Sequence, residues 1–259
     1  MSLLLASANS ANGDYTPYAV LLLPLFAAVA IALFARQHRS LSAALSIGAI
    51  LVSFCLSLSL LTKGIITEDN ITWLKIGSDP IPALKLSIGY MLDPLSLRML
   101  LVVTGVGSLI HIFSWGYMRE DKAVPRYFAC LSLFTFSMLG IVLANNLFMM
   151  FIFWELVGVS SYLLIGHWFH RDAAADAAKK AFITNRIGDF GFLLGIILVW
   201  ASLGSLNFTV LEDRAAGFFQ TNTGLTALIG LLLFCGAMGK SAQFPLHVWL
   251  ADAMEAVSY

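Results

Sequence analysis

The chain alternates between long apolar runs and short polar connections, and the runs have the length of membrane crossings. A hydrocarbon core ~30 Å thick takes roughly 20 helical residues at 1.5 Å each. Residues 18–35, 41–61, 95–115, 128–144, 145–171, 181–203 and 223–240 fit that length and predict an all-α polytopic bundle of transmembrane helices. One stretch departs from the pattern. Between Lys63 and Met91, ITWLKIG and IPALKLSIGYML alternate apolar and polar positions on either side of Ser78-Asp79-Pro80, which predicts a short extracytoplasmic β-hairpin. Asp93-Pro94 then predicts the start of a helix, Asp93 as N-cap and Pro94 at the first helical position.

Composition and charge placement sharpen the reading. With 59% hydrophobic and 12% charged residues the chain lacks the polar surface of a soluble domain. A formal net charge of zero gives no basic face, which argues against a nucleic-acid partner and leaves the lipid bilayer as the surrounding medium. The basic residues Arg36 and Arg39, then Arg119, Lys122 and Arg126, then Arg171, Lys179 and Lys180 fall in alternate connections. By the positive-inside rule those connections face the cytoplasm of a bacterial inner membrane and the N-terminus lies outside. The polar leader contains Asp14 but no basic residue, unlike a secretory signal. Cys55, Cys130 and Cys235 each sit inside an apolar run without metal-ligand spacing and read as packing residues.

Within the run NNLFMMFIFWELVGVSSYLLIGHWFHR a single carboxylate, Glu155, lies about 14 Å in from Asn146, near mid-membrane. An acidic residue there costs roughly 2.5–3.5 kcal/mol on insertion scales and calls for a compensating group. Lys240 is the candidate partner. It follows an apolar stretch, stands between Gly239 and Ser241, and precedes Pro245, which cannot donate to the carbonyl of Ser241, so the helix is weakened beside a buried cation. Irregular backbone at that depth lines protein or a water-filled cavity. Glu155 and Lys240 are therefore expected to act as a coupled proton relay, with a purely structural ion pair as the alternative.

Other polar groups support several readings. Arg186 and Asp189, three apart in TNRIGDFGF, are placed to pair with each other or to assist proton entry. His111 reads as a hydrogen-bonded helix contact or a relay group. His167, His170 and His247 stand at helix ends as interface residues or proton donors.

The segments DPLSLRMLLVVTGVGSLIHIFSWGYM, NNLFMMFIFWELVGVSSYLLIGHWFHR, AAKKAFITNRIGDFGFLLGI and GKSAQFPLHVWLADAME closely resemble the subunit L family of the proton-translocating NADH:quinone oxidoreductase, counterpart of mitochondrial chain 5. The resemblance implies an antiporter-like inverted-repeat fold, with N-terminal helices and the hairpin in residues 1–125 and an incomplete translocating repeat in 126–259. It places the family's coupled glutamate and lysine on Glu155 and Lys240. It also implies that other membrane subunits of complex I are partners, and that NADH, flavin, iron-sulfur clusters and quinone belong to partner subunits, with none in this chain. Sodium/proton antiporter subunits share the resemblance, although NRIGDFGF is more similar to the respiratory subunit. Two departures stand out: Ala251 replaces the proline of the family's WLPDAM motif, and the sequence ends shortly after Glu255, where the family continues. A truncated or split product, inactive in transport by itself, is the resulting expectation.

Overall fold

The computed structural model describes residues 15–64, 66–77 and 84–254. The leader with Asp14, the Ser78-Asp79-Pro80 turn and Glu255 lie outside them. Among the described residues seven helices are long and apolar enough to cross a membrane, and the chain divides into two compact units, residues 1–70 with 89–144 and residues 71–88 with 145–259.

The first unit packs four helices, α1 (Thr16–Phe34), α2 (Arg39–Lys63), α3 (Pro94–Tyr117) and α4 (Val124–Leu143). Many of their large apolar side chains point outward, as lipid permits, and on α2 and α3 many of the inward positions go to small polar residues. On α2 the buried positions include Ser42, Ser46, Ser53 and Ser57, while Leu41, Leu51, Val52 and Leu58 are exposed. The Ser46 and Ser132 hydroxyls meet at 2.7 Å, joining α2 to α4. Pro24 sits inside α1 and cannot donate to the carbonyl of Val20. The Ser53 hydroxyl donates to that carbonyl at 3.2 Å instead, so a helix defect is repaired from the neighbouring helix.

The hairpin is present as strands β1 (Thr67–Ile76) and β2 (Leu84–Leu92). Asp93 caps α3 as its sequence suggests: its carboxylate accepts from Ser96 N at 2.6 Å, and Ser96 Oγ accepts from Asp93 N at 2.7 Å.

The second unit contains α5 (Leu147–Ile165), a 3-10 turn (Gly166–Trp168), α6 (Asp172–Leu203), α7 (Phe208–Thr221), α8 (Thr223–Lys240) and α9 (Val248–Ala253). Asn146 caps α5 by accepting from Met149 N at 2.8 Å, and its amide donates to Ser87 O at 2.9 Å. Two expectations need correction. The sixth apolar run was expected to open near Ala181, but α6 begins at Asp172. Asp172 in the first turn suits the helix dipole and the alanines that follow have the highest helix propensity, so the polar connection is itself helical. Helix α7 falls where a loop was expected. With Glu212, Asp213 and Arg214 it is too polar to cross, and it has no buried residue.

Helices α6 and α8 run antiparallel at close range. A Cβ built on Gly188 would lie 2.7 Å from the Cys235 carbonyl oxygen, and one on Gly195 would lie 2.9 Å from Leu233 N. As the α6 number rises its α8 neighbour falls, so Lys240 comes level with Asn185 to Asp189, halfway along α6. Beyond it α9 takes over: Ala253 packs with Ala177, Ala178 and Ala181, and Lys180 pairs with Asp252 at 2.6 Å. Together α8 and α9 form one interrupted span along a single continuous helix.

Candidate functional site

The interruption falls at Lys240. Ala242 has a φ of 48°, a left-handed conformation that costs a non-glycine residue roughly 1–2 kcal/mol, and Pro245 blocks resumption of the helix. The Gly239 carbonyl accepts from Ala242 N at 3.3 Å and from Trp249 Nε1 at 3.0 Å. The ammonium of Lys240 thus stands at the negative end of the α8 dipole, beside a backbone break in the middle of the bundle.

Four charges line up across α5, α6 and α8. Arg186 forms an ion pair with Glu155, and its Nη2 donates to the Glu155 backbone carbonyl at 3.4 Å. Arg186 Nη1 is also 3.7 Å from Asp189 Oδ2, and Lys240 Nζ is 3.9 Å from that same oxygen. The other oxygen, Asp189 Oδ1, accepts from Trp154 Nε1 at 2.9 Å. The result is a continuous ladder, Glu155, Arg186, Asp189, Lys240, of two negative and two positive groups. The guanidinium of Arg186 also lies 4.5 Å from the centroid of the Phe182 ring, an attractive cation–π placement.

Sequence reading paired Glu155 directly with Lys240. The contacts run otherwise: among the described residues the cation on Glu155 is Arg186, and the carboxylate nearest Lys240 is Asp189. The physical reason is helix order. Helix α6 packs against both α5 and α8, so its Arg186 and Asp189 intervene where the two outer charges would otherwise meet.

Gly158 and Trp154 were missed. A Cβ on Gly158 would lie 2.6 Å from Lys240 Nζ and 3.2 Å from Arg186 Nη2. The missing side chain is therefore the space in which both cations reach α5. The signal was available, since Gly158 follows Glu155 by three residues in WELVG and shares its helical face. Nothing in the spacing announced that the Trp154 indole would bond Asp189. Asn185 Oδ1, Arg186 Nε, Asp189 Oδ2 and Lys240 Nζ, all in this layer, make no hydrogen bond among the described residues.

The remaining candidates sit elsewhere. His111 belongs to the first unit, 1% exposed, with Nδ1 2.7 Å from the Gly107 carbonyl oxygen of its own helix. His247 is exposed beyond the break, stacked against Phe244. Cys55, Cys130 and Cys235 lie on α2, α4 and α8. Among the described residues no three His, Cys, Asp or Glu side chains are placed to share a metal ion.

The chain has relatives among known proteins. Residues 144–259 match the family described as NADH:quinone oxidoreductase/Mrp antiporter, TM, and residues 73–128 match NADH-Ubiquinone oxidoreductase (complex I), chain 5 N-terminus. The NAD(P)H-quinone oxidoreductase subunit 5 of the Zygnema circumcarinatum chloroplast is 49% identical over 227 residues, covering 85% of this chain and 32% of the relative. Chain 5 of the Synechocystis enzyme is 42% identical over 247 residues, covering 90% and 36%. The chain thus spans about a third of the length of these relatives. In fold it is similar to a chain of the Mrp complex from Dietzia sp., with a TM-score of 0.75 at 24% identity over 94% of this chain and 26% of that one. By its sequence the chain belongs to the chain 5 family of membrane subunits of the NAD(P)H- and NADH-quinone oxidoreductases.

Proposed function

We propose that this chain supplies part of a proton-translocating membrane subunit of a quinone oxidoreductase, residues 126–259 forming the translocating repeat and the charge ladder acting as its relay. Other membrane subunits of the complex are its partners. Nicotinamide, flavin, iron-sulfur and quinone chemistry takes place in partner subunits, and translocation here is driven by that chemistry. The membrane is an energy-coupling one, a bacterial cytoplasmic membrane in the reading favoured by the basic connections, with the N-terminus on the far side.

The observation that carries this reading is the uninterrupted run of charged contacts ending on a cation at a broken helix. With two unit charges of each sign the layer is neutral as it stands. A proton leaving Lys240 removes the counter-charge of Asp189 on that side. Two unit charges about 4 Å apart interact by roughly 4 kcal/mol at an effective dielectric near 20, so Asp189 then draws on Arg186, the other cation in reach. Arg186 touches both carboxylates, and a shift of its guanidinium toward Asp189 loosens its hold on Glu155, which is then free to take a proton. Protonation at one end and deprotonation at the other are coupled through one arginine. Two acceptors in this layer, Asp189 Oδ2 and Asn185 Oδ1, make no hydrogen bond among the described residues and are open to a donor.

The test uses the assembled complex in sealed vesicles, reading proton uptake per electron pair while the redox subunits are assayed separately with an artificial acceptor. Glu155→Gln and Lys240→Ala each lower uptake about tenfold or more with acceptor reduction intact, and the double variant loses less than the product of the two. Gly158→Ala, which places a methyl group against Lys240 Nζ and Arg186 Nη2, lowers uptake while the complex still assembles. Normal uptake in Glu155→Gln and Lys240→Ala would reduce the ladder to a structural device. The likeness to the Mrp fold supports a second reading, a sodium/proton antiporter subunit, which predicts sodium-dependent exchange and no loss of redox-driven uptake in the same variants.

A further inference from the structure

A groove of about 450 Å³ lies between α1 and α4 in the first unit, on helices other than those that carry the charge ladder. Its floor is apolar, with Leu25 and Val29 on α1 and Ala129 and Leu133 on α4, and its rim carries Arg36, Lys122 and Arg126. All three basic residues are exposed at one end. We propose that this groove binds an anionic phospholipid, one acyl chain lying along the floor and the phosphate meeting the three cations.

Three independent observations converge on that occupant. The first is length. From Leu25 to Phe34, the last residue of α1, the helix climbs about 13 Å at 1.5 Å per residue, nearly half of a ~30 Å hydrocarbon core, so the groove has the reach of one leaflet and opens where that leaflet's headgroups lie. A peptide or a soluble anion would have no use for an apolar trough ending at the bilayer midplane.

The second is charge. Arg36 follows the end of α1, Lys122 precedes α4 and Arg126 lies in its first turn, so basic residues from two distant parts of the sequence meet at one rim. Glu120 and Asp121 share the turn, but one Asp121 oxygen is engaged at the start of α4, where it accepts from Ala123 N at 2.5 Å. Near a membrane surface each lysine or arginine adds attraction for anionic lipid. The third is shape. Alanine at positions 28, 32, 123 and 129 recedes from the groove and leaves room that leucine would fill.

The experiment keeps the chain in its complex, in vesicles containing a phosphatidylglycerol with a photoactivatable group at one acyl terminus, and maps adducts by mass spectrometry. Adducts are expected on peptides holding Leu25 and Val29 and on those holding Ala129 and Leu133. Labelling is expected to fall about tenfold when Arg36, Lys122 and Arg126 are all changed to Gln, and to the same degree with a matching phosphatidylcholine on the unaltered chain. Ala129→Trp, which fills the floor and leaves every charge in place, removes the acyl-end adducts. Excess inorganic phosphate leaves labelling unchanged, because the chain as well as the headgroup is bound. Equal labelling by the neutral and anionic lipids, indifference to the triple variant, displacement by phosphate, or absence of adducts because a neighbouring subunit fills the groove would each overturn the proposal.

Discussion

In the first unit the inward face of α2 presents Ser42, Ser46, Ser53 and Ser57 to its neighbours, whereas in the second the facing sides of α6 and α8 carry Gly188, Gly191, Gly195, Gly236 and Gly239. Both are ways of packing helices where lipid supplies no hydrophobic drive, but they lead to different interiors. Serine leaves a hydroxyl between the helices, and each hydroxyl finds a carbonyl or another hydroxyl within the bundle. Glycine leaves nothing, so backbones approach until the long side chains of Arg186 and Lys240 are pressed into one layer with Asp189. The serine-packed unit is locally satisfied and nearly neutral inside. The glycine-packed unit concentrates charge, and its stability depends on that charge remaining balanced.

The largest effect that would break this contrast is expected from Asp189→Asn. The substitution leaves Arg186 and Lys240 facing Glu155 alone, an uncompensated charge in a buried layer, at a cost of about 3–5 kcal/mol. Unfolding of the purified complex in denaturant, or loss of assembled chain from the membrane, reads it out. Pairing the change with Lys240→Gln restores neutrality and recovers most of the loss. If Asp189→Asn alone is as stable as the unaltered chain, the layer is not a balanced unit.

The seven crossings were legible because a run of 18 or more apolar residues has few other fates, and so was the break, since Gly239 and Pro245 both disfavour helix around Lys240. Asp93 could be read as a cap from its place before Pro94. Helix α7 was not legible as a crossing, because only Phe208, Leu211 and Phe218 pack against the core and its 14 residues are divided by Glu212 to Arg214. The ladder was half legible. Glu155 and Lys240 announce themselves as charges in apolar runs, but which partner each one touches depends on which helix lies between, and one chain's spacing does not carry that. Arg186 and Asp189, spaced to pair with each other, gave no sign that each also serves a charge on a neighbouring helix.

A smaller effect sharpens the packing side of the comparison. Gly188→Ala puts a methyl group 2.7 Å from the Cys235 carbonyl oxygen, which is backbone and has no rotamer by which to move aside. Separation of α6 from α8 follows, with an overpacking cost of about 1–3 kcal/mol and longer contacts along the ladder. On α2, Gly48→Ala meets nothing within 4 Å and gains the better helix former, so it is neutral or stabilising by up to ~1 kcal/mol. Thermal unfolding of the two variants side by side decides the matter, and equal responses would mean that the glycine seam is no tighter than an open helix face.

The smallest effect is expected where the first unit looks most polar. Ser46 and Ser132 share a 2.7 Å hydrogen bond between α2 and α4, and Ser46 Oγ also lies 3.4 Å from the Phe128 carbonyl oxygen. Removing one hydroxyl does not strand the other, because a serine or threonine in a helix can turn to the carbonyl four residues back, as Ser57 does with Ser53 and Thr135 with Leu131. The reference state in the membrane offers the same refuge, which holds such interhelical bonds to roughly 0.6 kcal/mol on average. A double-mutant cycle of Ser46→Ala and Ser132→Ala, read by thermal unfolding, should therefore give a coupling of about that size. The Asp189 and Lys240 cycle should exceed it severalfold, since α8 offers Lys240 no carboxylate and Asp189 is left with only the Arg186 guanidinium that Glu155 also holds. A serine coupling above ~1.7 kcal/mol, beyond the range such bonds reach, would put the hydroxyl seam on a par with the charge ladder and dissolve the distinction between the two units.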